Sequence, residues 1–181
     1  MDFESKITSR EISQLLWERE MTLGTAESCT GGRVAEAIIA VPGASKYFKG
    51  GIVSYADEIK ARILGVDRQL IEEKTAVCED VAVAMVKGAC KALNTDYAIA
   101  VTGIAGPGGG TAEIPVGTIW LACGNEDNVA TCQLTEDNGR DKNLSEATHT
   151  ALEMFLEFLK GEEKVSEDDV EPQGEVKWGS N

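Results

Sequence analysis

Three short segments of the sequence carry side chains that could do chemistry. The first is ESCTGG, residues 27–32, in which Ser28 is a candidate nucleophile and Cys29 a candidate thiolate. A serine hydroxyl needs a base within hydrogen-bonding reach before it can attack a substrate. The only histidine of the chain, His149, lies in a helix-like segment. Most histidines in such segments are surface or half-buried residues without a catalytic role. Lysine or tyrosine is then the alternative base.

The second segment, SYADEIK at residues 54–60, supplies both of these alternatives. Asp57 is predicted to cap a short helix, which places Lys60 in its first turn. A cation there opposes the helix dipole, and partial burial adds to the effect, so the neutral amine is favoured and could act as a base. Tyr55 could relay a proton. The pattern is equally compatible with an exposed Lys60 and a core Tyr55.

The third segment, TGIAGPGGG at residues 102–110, is rich in glycine. Glycine lets backbone N–H groups approach an anion closely, so Thr102, Gly103 and Gly106 are candidate binding residues. A mobile surface turn is the competing interpretation, since neither a Walker A motif nor a clear dinucleotide fingerprint is present.

The first segment also has an anion-binding interpretation, because it leads into a predicted helix. Thr30, Gly31 and Gly32 would stand at the N-terminus of that helix, where unpaired donors attract negative charge. Ser28 and Thr30 could instead be simple helix caps, and Cys29 a small buried residue. Arg140, at a further predicted helix start, would hold a phosphate or carboxylate, or remain solvated.

Strands and helices alternate along the chain and must position these segments. Strands are predicted at residues 22–28, 50–56, 96–103, 117–123 and 129–135, and helices at 4–21, 33–41, 57–64, 79–93 and 140–160, with a short helical or irregular connection at 69–77. This order predicts an α/β protein, a three-layer α/β/α sandwich with a mixed, mostly parallel sheet. Since ligands bind at the carboxyl ends of parallel strands, the three segments are expected to meet there.

Composition and charge exclude several classes of function. The 181 residues carry a formal net charge of −14, which argues against a nucleic-acid or anionic-membrane binder. The single histidine argues against a histidine-based zinc site, and five cysteines without a CxxC spacing indicate reduced thiols in a cytoplasmic protein. No secretory signal or membrane-spanning run is apparent.

Residues 1–160 are predicted to form one domain, and the acidic residues 161–181 are predicted to form a flexible tail.

Several motifs in the same order resemble the CinA C-terminal domain family. They are TAESCTGGRVAEAI, VPGASKYFKGGIVSYADEIKARILGV and YAIAVTGIAGPGGGTAEIPVGTIWLA, within a resemblance that covers roughly residues 5 to 160. The resemblance implies an α/β/α fold, a homo-oligomer and the deamidation of nicotinamide mononucleotide to nicotinate mononucleotide and ammonia. The nucleotide-related domain of longer family members is not in the sequence, so a stand-alone deamidase is expected.

The resemblance also assigns roles to residues. It implies that Ser28 attacks the carboxamide and that Lys60 and Tyr55 move protons, with no metal or other cofactor. Thr102, Gly103 and Gly106 match the family's threonine–glycine loop, and backbone donors near the glycine loops would stabilise the oxyanion or hold the phosphate.

One position departs from the family pattern. Arg140 matches the first arginine of a paired motif, but Leu144 stands where the second is usual. This departure motivates an alternative, a catalytically degenerate nucleotide-binding regulator. A third hypothesis gives the chemistry to Cys29.

Overall fold

A computed structural model describes residues 3–168 of the chain, which fold into alternating strands and helices. Their order is α1 (Phe3–Glu18), β1 (Leu23–Glu27), α2 (Arg33–Ile39), β2 (Phe48–Val53), α3 (Asp57–Leu64), α4 (Arg68–Lys74), α5 (Glu79–Leu93), β3 (Tyr97–Gly103), β4 (Ile119–Gly124), β5 (Val129–Leu134) and α6 (Arg140–Asp168). A single 3₁₀ turn, Ala44–Lys46, precedes β2.

The five strands form one mixed sheet in the order β2-β1-β3-β4-β5. β1 pairs in parallel with both β2 and β3, whereas β4 is antiparallel to β3 and to β5. Four of the five strands therefore run in the same direction. Because β1 lies between β2 and β3, the chain leaves it toward one neighbour and later returns to the other, and this reversal of strand order is where open α/β sheets bind ligands.

Each face of the sheet is covered by its own set of helices. On one face, α1, α2 and α6 pack on large side chains such as Leu23, Ile99 and Leu121. On the other face, α3, α4 and α5 pack on small ones such as Ala98 and Ala100. Alternate residues of a strand point to opposite faces, so β3 serves both layers. The predicted three-layer α/β/α fold with a mixed sheet is confirmed.

Most predicted elements are present, but some ends differ. β2 begins at Phe48 rather than at residue 50, and α1 ends at Glu18 because Glu20 has a left-handed backbone with φ of 55°. Asp57 was predicted as the cap of α3, which is wrong. It is the first helical residue, and Ala56 occupies the capping position without a side-chain bond.

The last helix is longer than the sequence predicts. α6 continues to Asp168, past the predicted end at Lys160, so the first part of the expected acidic tail is helical. The prediction of a flexible tail over residues 169–181 lies outside the described residues. None of the helices within residues 3–168 combines the length and the apolar character that crossing a bilayer requires.

Candidate active site

The strand register brings the three chemistry-bearing segments to one edge of the sheet. Glu27 at the end of β1 pairs with Val53 of β2 and Val101 of β3, so the next residues of all three strands lie side by side. A cavity of about 260 Å³ opens at this edge. Seven of the ten predicted site residues line it: Ser28, Tyr55, Lys60, Thr102, Gly103, Gly106 and Arg140.

Ser28 lines this cavity with its backbone fixed on both sides. Its amide donates to the Val101 carbonyl at 2.9 Å, which ties it to β3. Its own carbonyl accepts from the Gly31 amide at 3.1 Å, which closes a tight turn. The residue is 8% exposed. Because its backbone is rigid, the Ser28 hydroxyl is held in one position at the mouth of the cavity. A hydroxyl that is fixed in this way is better placed to attack a substrate than a mobile hydroxyl.

Three predicted binding residues of the first segment do not reach the cavity. Thr30, Gly31 and Gly32 are absent from its described lining. The Thr30 hydroxyl and the Gly32 amide both donate to the carboxylate of Glu27, at 2.7 and 3.0 Å. The expected anion-binding donors of this turn are thus occupied by a side chain of the protein.

The burial of Lys60 and Tyr55 is the reverse of what their residue types suggest, because the lysine is buried and the tyrosine is exposed. Lys60 is 1% exposed, whereas Tyr55 is 64% exposed at the rim of the cavity. The Lys60 ammonium donates to the carbonyls of Ser54 at 3.0 Å and Tyr55 at 3.3 Å, and to Asp57 Oδ1 at 3.4 Å. A buried ammonium requires such partners because it has lost its water.

These contacts use all three N–H donors of Lys60. Within residues 3–168, the Ser28 hydroxyl makes no hydrogen bond to Lys60. The two side chains share one cavity, but the Lys60 ammonium is directed toward the carbonyls at the end of β2. Catalytic hydrogen bonds are often long or broken before substrate binds, so the arrangement remains compatible with a role for both.

The glycine-rich segment forms the opposite wall of the cavity. Thr102 is 1% exposed and donates to the Ala76 carbonyl at 2.8 Å, which attaches the connection between α4 and α5 to the end of β3. Gly106 has φ of +85°, and a Cβ there would lie 2.5 Å from Val116 Cγ1, so only glycine fits. Across residues 3–168, the amides of Gly108 and Gly109 donate to no other protein group.

Two residues at the start of α6 hold this glycine-rich wall in place. The Arg140 guanidinium donates to the Gly106 carbonyl at 2.7 Å and lines the cavity at its exposed rim. The Asn143 side chain, 4% exposed, donates to the Ala105 carbonyl at 3.0 Å and to Asp137 at 2.9 Å. These contacts also lower the pKa of Asp137, since the Asn143 amide and the Gly139 N–H both favour its charged form.

Leu144 and His149 take no part in this cavity. Leu144 is 3% exposed in the core between α6 and the sheet, so its departure from the family pattern lies away from the described lining. The His149 ring lies between α1 and α6, 3.2 Å from the Ser5 hydroxyl and 3.2 Å from Glu153. A serine–histidine pair that includes Ser28 is therefore not formed.

Cys29 lies in the cavity wall as a protonated thiol. Burial raises its pKa to about 11, and this outweighs the nearby amides of Cys29 and Thr30 and the charge of Arg140, which act in the opposite direction. Cys29 is thus the small buried residue of the alternative interpretation, and its burial disfavours the thiolate, which is the reactive form.

Sequence reasoning missed two residues that shape the site. The sequence motifs assign no role in the site to Glu27 or Asn143. An acidic residue at the end of a buried strand is a usable signal for Glu27, because a buried carboxylate must find several donors. Asn143 gives no comparable signal, since its partner Ala105 is 38 residues away in the chain.

A second, larger cavity of about 410 Å³ lies between the end of β5 and α6. Its charged lining residues within the described part of the chain are Glu136 and Glu146, and no cation lines it. The smaller cavity combines the Ser28 hydroxyl with two cationic side chains, Lys60 and Arg140, and is the better candidate for chemistry.

Known proteins share this sequence and this fold. The sequence profile described as CinA C-terminal domain matches residues 5–159. A CinA-like protein from Gloeobacter violaceus is 44% identical over 143 residues, which are 78% of this chain and 34% of that protein. One from Flavobacterium psychrophilum is 41% identical over 154 residues, 84% of this chain and 37% of that protein. The chain spans about a third of the length of the curated relatives it matches.

Solved structures agree with these matches. The competence/damage inducible protein CihA from Agrobacterium tumefaciens superposes with a TM-score of 0.84 at 36% identity, over 88% of this chain and 98% of that one. A CinA superfamily protein from Escherichia coli gives a TM-score of 0.81 at 33% identity, over 88% and 92%.

Proposed function

This chain belongs to the CinA C-terminal domain family, and from that premise we propose that it is an amidohydrolase that converts nicotinamide mononucleotide to nicotinate mononucleotide and ammonia. The observation that carries the proposal is the cavity at the carboxyl ends of β1, β2 and β3. It gathers Ser28, Tyr55, Lys60 and the Thr102 loop from segments far apart in sequence. These are the residues to which the family resemblance assigns the chemistry.

In the proposed first step, Ser28 Oγ attacks the carbon of the pyridine carboxamide. The C–N bond breaks, the leaving nitrogen takes up the serine proton and departs as ammonia, and an ester to Ser28 remains. Water then hydrolyses that ester and releases the carboxylate. Splitting the hydrolysis in this way replaces one difficult step by two easier ones.

Lys60 and Tyr55 are proposed to carry the proton. A neutral Lys60 has two N–H donors, which the carbonyls of Ser54 and Tyr55 can keep, and one lone pair. The contact to Asp57 is the longest of the three at 3.4 Å, and Lys60 must lose the proton of this contact to solvent before its lone pair can accept from Ser28. The exposed Tyr55 can close over the substrate and pass the proton onward.

The glycine-rich wall is proposed to bind the charged groups. Unpaired backbone amides such as those of Gly108 and Gly109 suit an oxyanion or a phosphate, and Arg140 adds a guanidinium at the rim. A cavity of about 260 Å³ lies just below the usual range of roughly 300–1,000 Å³ for ligand sites, and this small volume favours a mononucleotide over a dinucleotide.

A second candidate function is nucleotide binding without turnover. The favouring observation is that Lys60 donates to three oxygens and not to Ser28. Such a protein would report the presence of a nucleotide rather than consume it.

Ammonia release from the purified protein separates the two functions. With nicotinamide mononucleotide, the amidohydrolase yields one ammonia for each nicotinate mononucleotide formed. Calorimetric binding of the same compound without any ammonia would instead support the regulator. Absence of both binding and turnover would contradict both.

The homo-oligomeric state and the cytoplasmic location remain predictions. Light scattering on the purified chain measures its mass in solution and tests the first directly.

A further inference from the structure

A buried carboxylate stands directly before the proposed nucleophile and has no role in the chemistry described so far. Glu27 is 1% exposed, and its carboxylate accepts four hydrogen bonds. Oε2 accepts from the Thr30 hydroxyl and from the amides of Gly32 and Val34, and Oε1 accepts from the Ala35 amide, over distances of 2.7 to 3.1 Å.

These contacts make Glu27 the cap of α2. Gly32, at the capping position, has φ of 104° and no side chain to offer. The first four amides of the helix are nevertheless all paired. Arg33 donates to the Thr30 carbonyl, Val34 and Ala35 donate to Glu27, and Glu36 donates to the Gly32 carbonyl. No donor remains there for a substrate anion, and the charge of Glu27 offsets the positive end of the helix.

The same contacts fix the backbone around Ser28. The Glu27 carbonyl accepts from the Ser54 amide at 2.8 Å, so Glu27 also joins the ends of β1 and β2. Its side chain folds over the turn at residues 28–32 and binds that turn to the helix behind it. The position of Ser28 then follows from a hydrogen-bond network whose central members, Glu27, Thr30 and Ser54, are buried.

We propose that Glu27 is a positioning residue for Ser28. It holds the nucleophile turn in its attacking geometry, and it fills the α2 N-terminus so that an anionic group of the substrate binds at the glycine-rich wall instead. This inference rests on the proposed amidohydrolase function, but the contacts of Glu27 do not.

The test compares Glu27→Gln with Glu36→Gln. Both substitutions remove one negative charge near the start of α2, but Glu36 is exposed and only its backbone takes part in capping. A glutamine at position 27 would turn an N–H₂ group toward amide donors and open the turn. We expect kcat of Glu27→Gln to fall about 100-fold with KM changed less than about threefold, because displacement of a nucleophile costs rate rather than binding. Glu36→Gln should match the wild type in both.

Amide hydrogen exchange supplies a readout that does not depend on turnover. Glu27→Gln should speed exchange at Val34 and Ala35, while exchange within α5 stays as in the wild type. Unchanged kcat, a rise in KM alone, or a loss of rate in proportion to unfolded protein would overturn the proposal. If the wild type releases no ammonia, the amidohydrolase function fails, and unchanged exchange at α2 would then still refute the role of Glu27.

Discussion

The two glycine-containing loops at the edge of the sheet look alike in sequence and differ in their hydrogen bonding. Residues 28–32 follow β1, residues 102–109 comprise the end of β3 and the loop after it, and both segments combine a hydroxyl residue with glycines. In the first loop, the donors of Thr30, Gly32 and the start of α2 are taken by Glu27. In the second, among the described residues, the amides of Gly108 and Gly109 remain unpaired.

The difference shows that glycine after a strand does not by itself make an anion site. Glu27, at the end of β1, accepts the hydrogen bonds of the first loop's donors. That loop is therefore left to position the Ser28 side chain rather than to bind an anion. The second loop has no such residue, since β3 ends in Thr102 and Gly103, and its donors are available to a ligand. In the proposed function, one loop therefore presents the nucleophile, and the other binds the charge.

The largest effect is expected at Lys60, the buried cation between the loops. Lys60→Met keeps the length of the side chain but removes its charge and its donors. The rate of ammonia release should fall about 10²- to 10⁴-fold, the usual contribution of a proton-transfer group. Lys87→Met, at an exposed lysine of α5, is the matched control and should change little. A Lys60→Met protein that retains its rate would remove Lys60 from the mechanism.

Arg140→Met tests the assignment of charge binding to the second loop. Loss of a charge-assisted contact to phosphate should raise KM by roughly tenfold to a hundredfold, with a smaller change in kcat. Lys142→Met removes a cation two residues along the same helix, outside the cavity lining, and serves as the control. Steady-state kinetics give both constants. An unchanged KM would mean that the anion binds elsewhere.

Thr30→Val tests the opposite assignment for the first loop. The substitution deletes a buried donor to Glu27 and should lower the free energy of unfolding by about 1–2 kcal/mol while leaving KM unchanged. Urea denaturation measures the first quantity. Thr131→Val deletes a threonine–glutamate hydrogen bond on the surface, to Glu79, and should cost about 0.5 kcal/mol or less. A raised KM in Thr30→Val would show that this loop does contact the substrate.

The smallest effect is expected at Cys29. With a pKa raised to about 11 by burial, only about one molecule in a thousand carries the thiolate at pH 8. Iodoacetamide should therefore label Cys29 slowly in the folded protein, and faster as the pH approaches 11. Comparison with Cys29→Ala by mass spectrometry identifies the adduct. Rapid labelling at pH 7, together with loss of activity in Cys29→Ala, would favour a thiol mechanism.

Much of the fold follows from local pattern. The near-continuous apolar run of β3 is typical of a buried parallel strand, and the apolar residues of α5 repeat at helical spacing. If β1, β2 and β3 are parallel strands of one sheet, their carboxyl ends lie at the same edge whatever the strand order. The sequence therefore predicts that the three segments meet there.

The rest depended on contacts between distant residues. The bond from Thr102 to Ala76 joins residues 26 apart, and the bond from Asn143 to Ala105 joins residues 38 apart. Lys60 was expected to be at most partly buried, because a fully buried lysine is rare, and its three oxygen partners at the end of β2 are what permit it. The burial of Leu144 likewise depends on how α6 lies on the sheet.

Ammonia release by wild type and Ser28→Ala, measured side by side with nicotinamide mononucleotide, tests the central claim most directly. Wild-type protein should form ammonia and nicotinate mononucleotide in equal amounts. Ser28→Ala should remain folded by circular dichroism and lose at least about 1,000-fold in rate, as serine hydrolases do without their nucleophile. A folded Ser28→Ala protein with wild-type turnover would contradict the account.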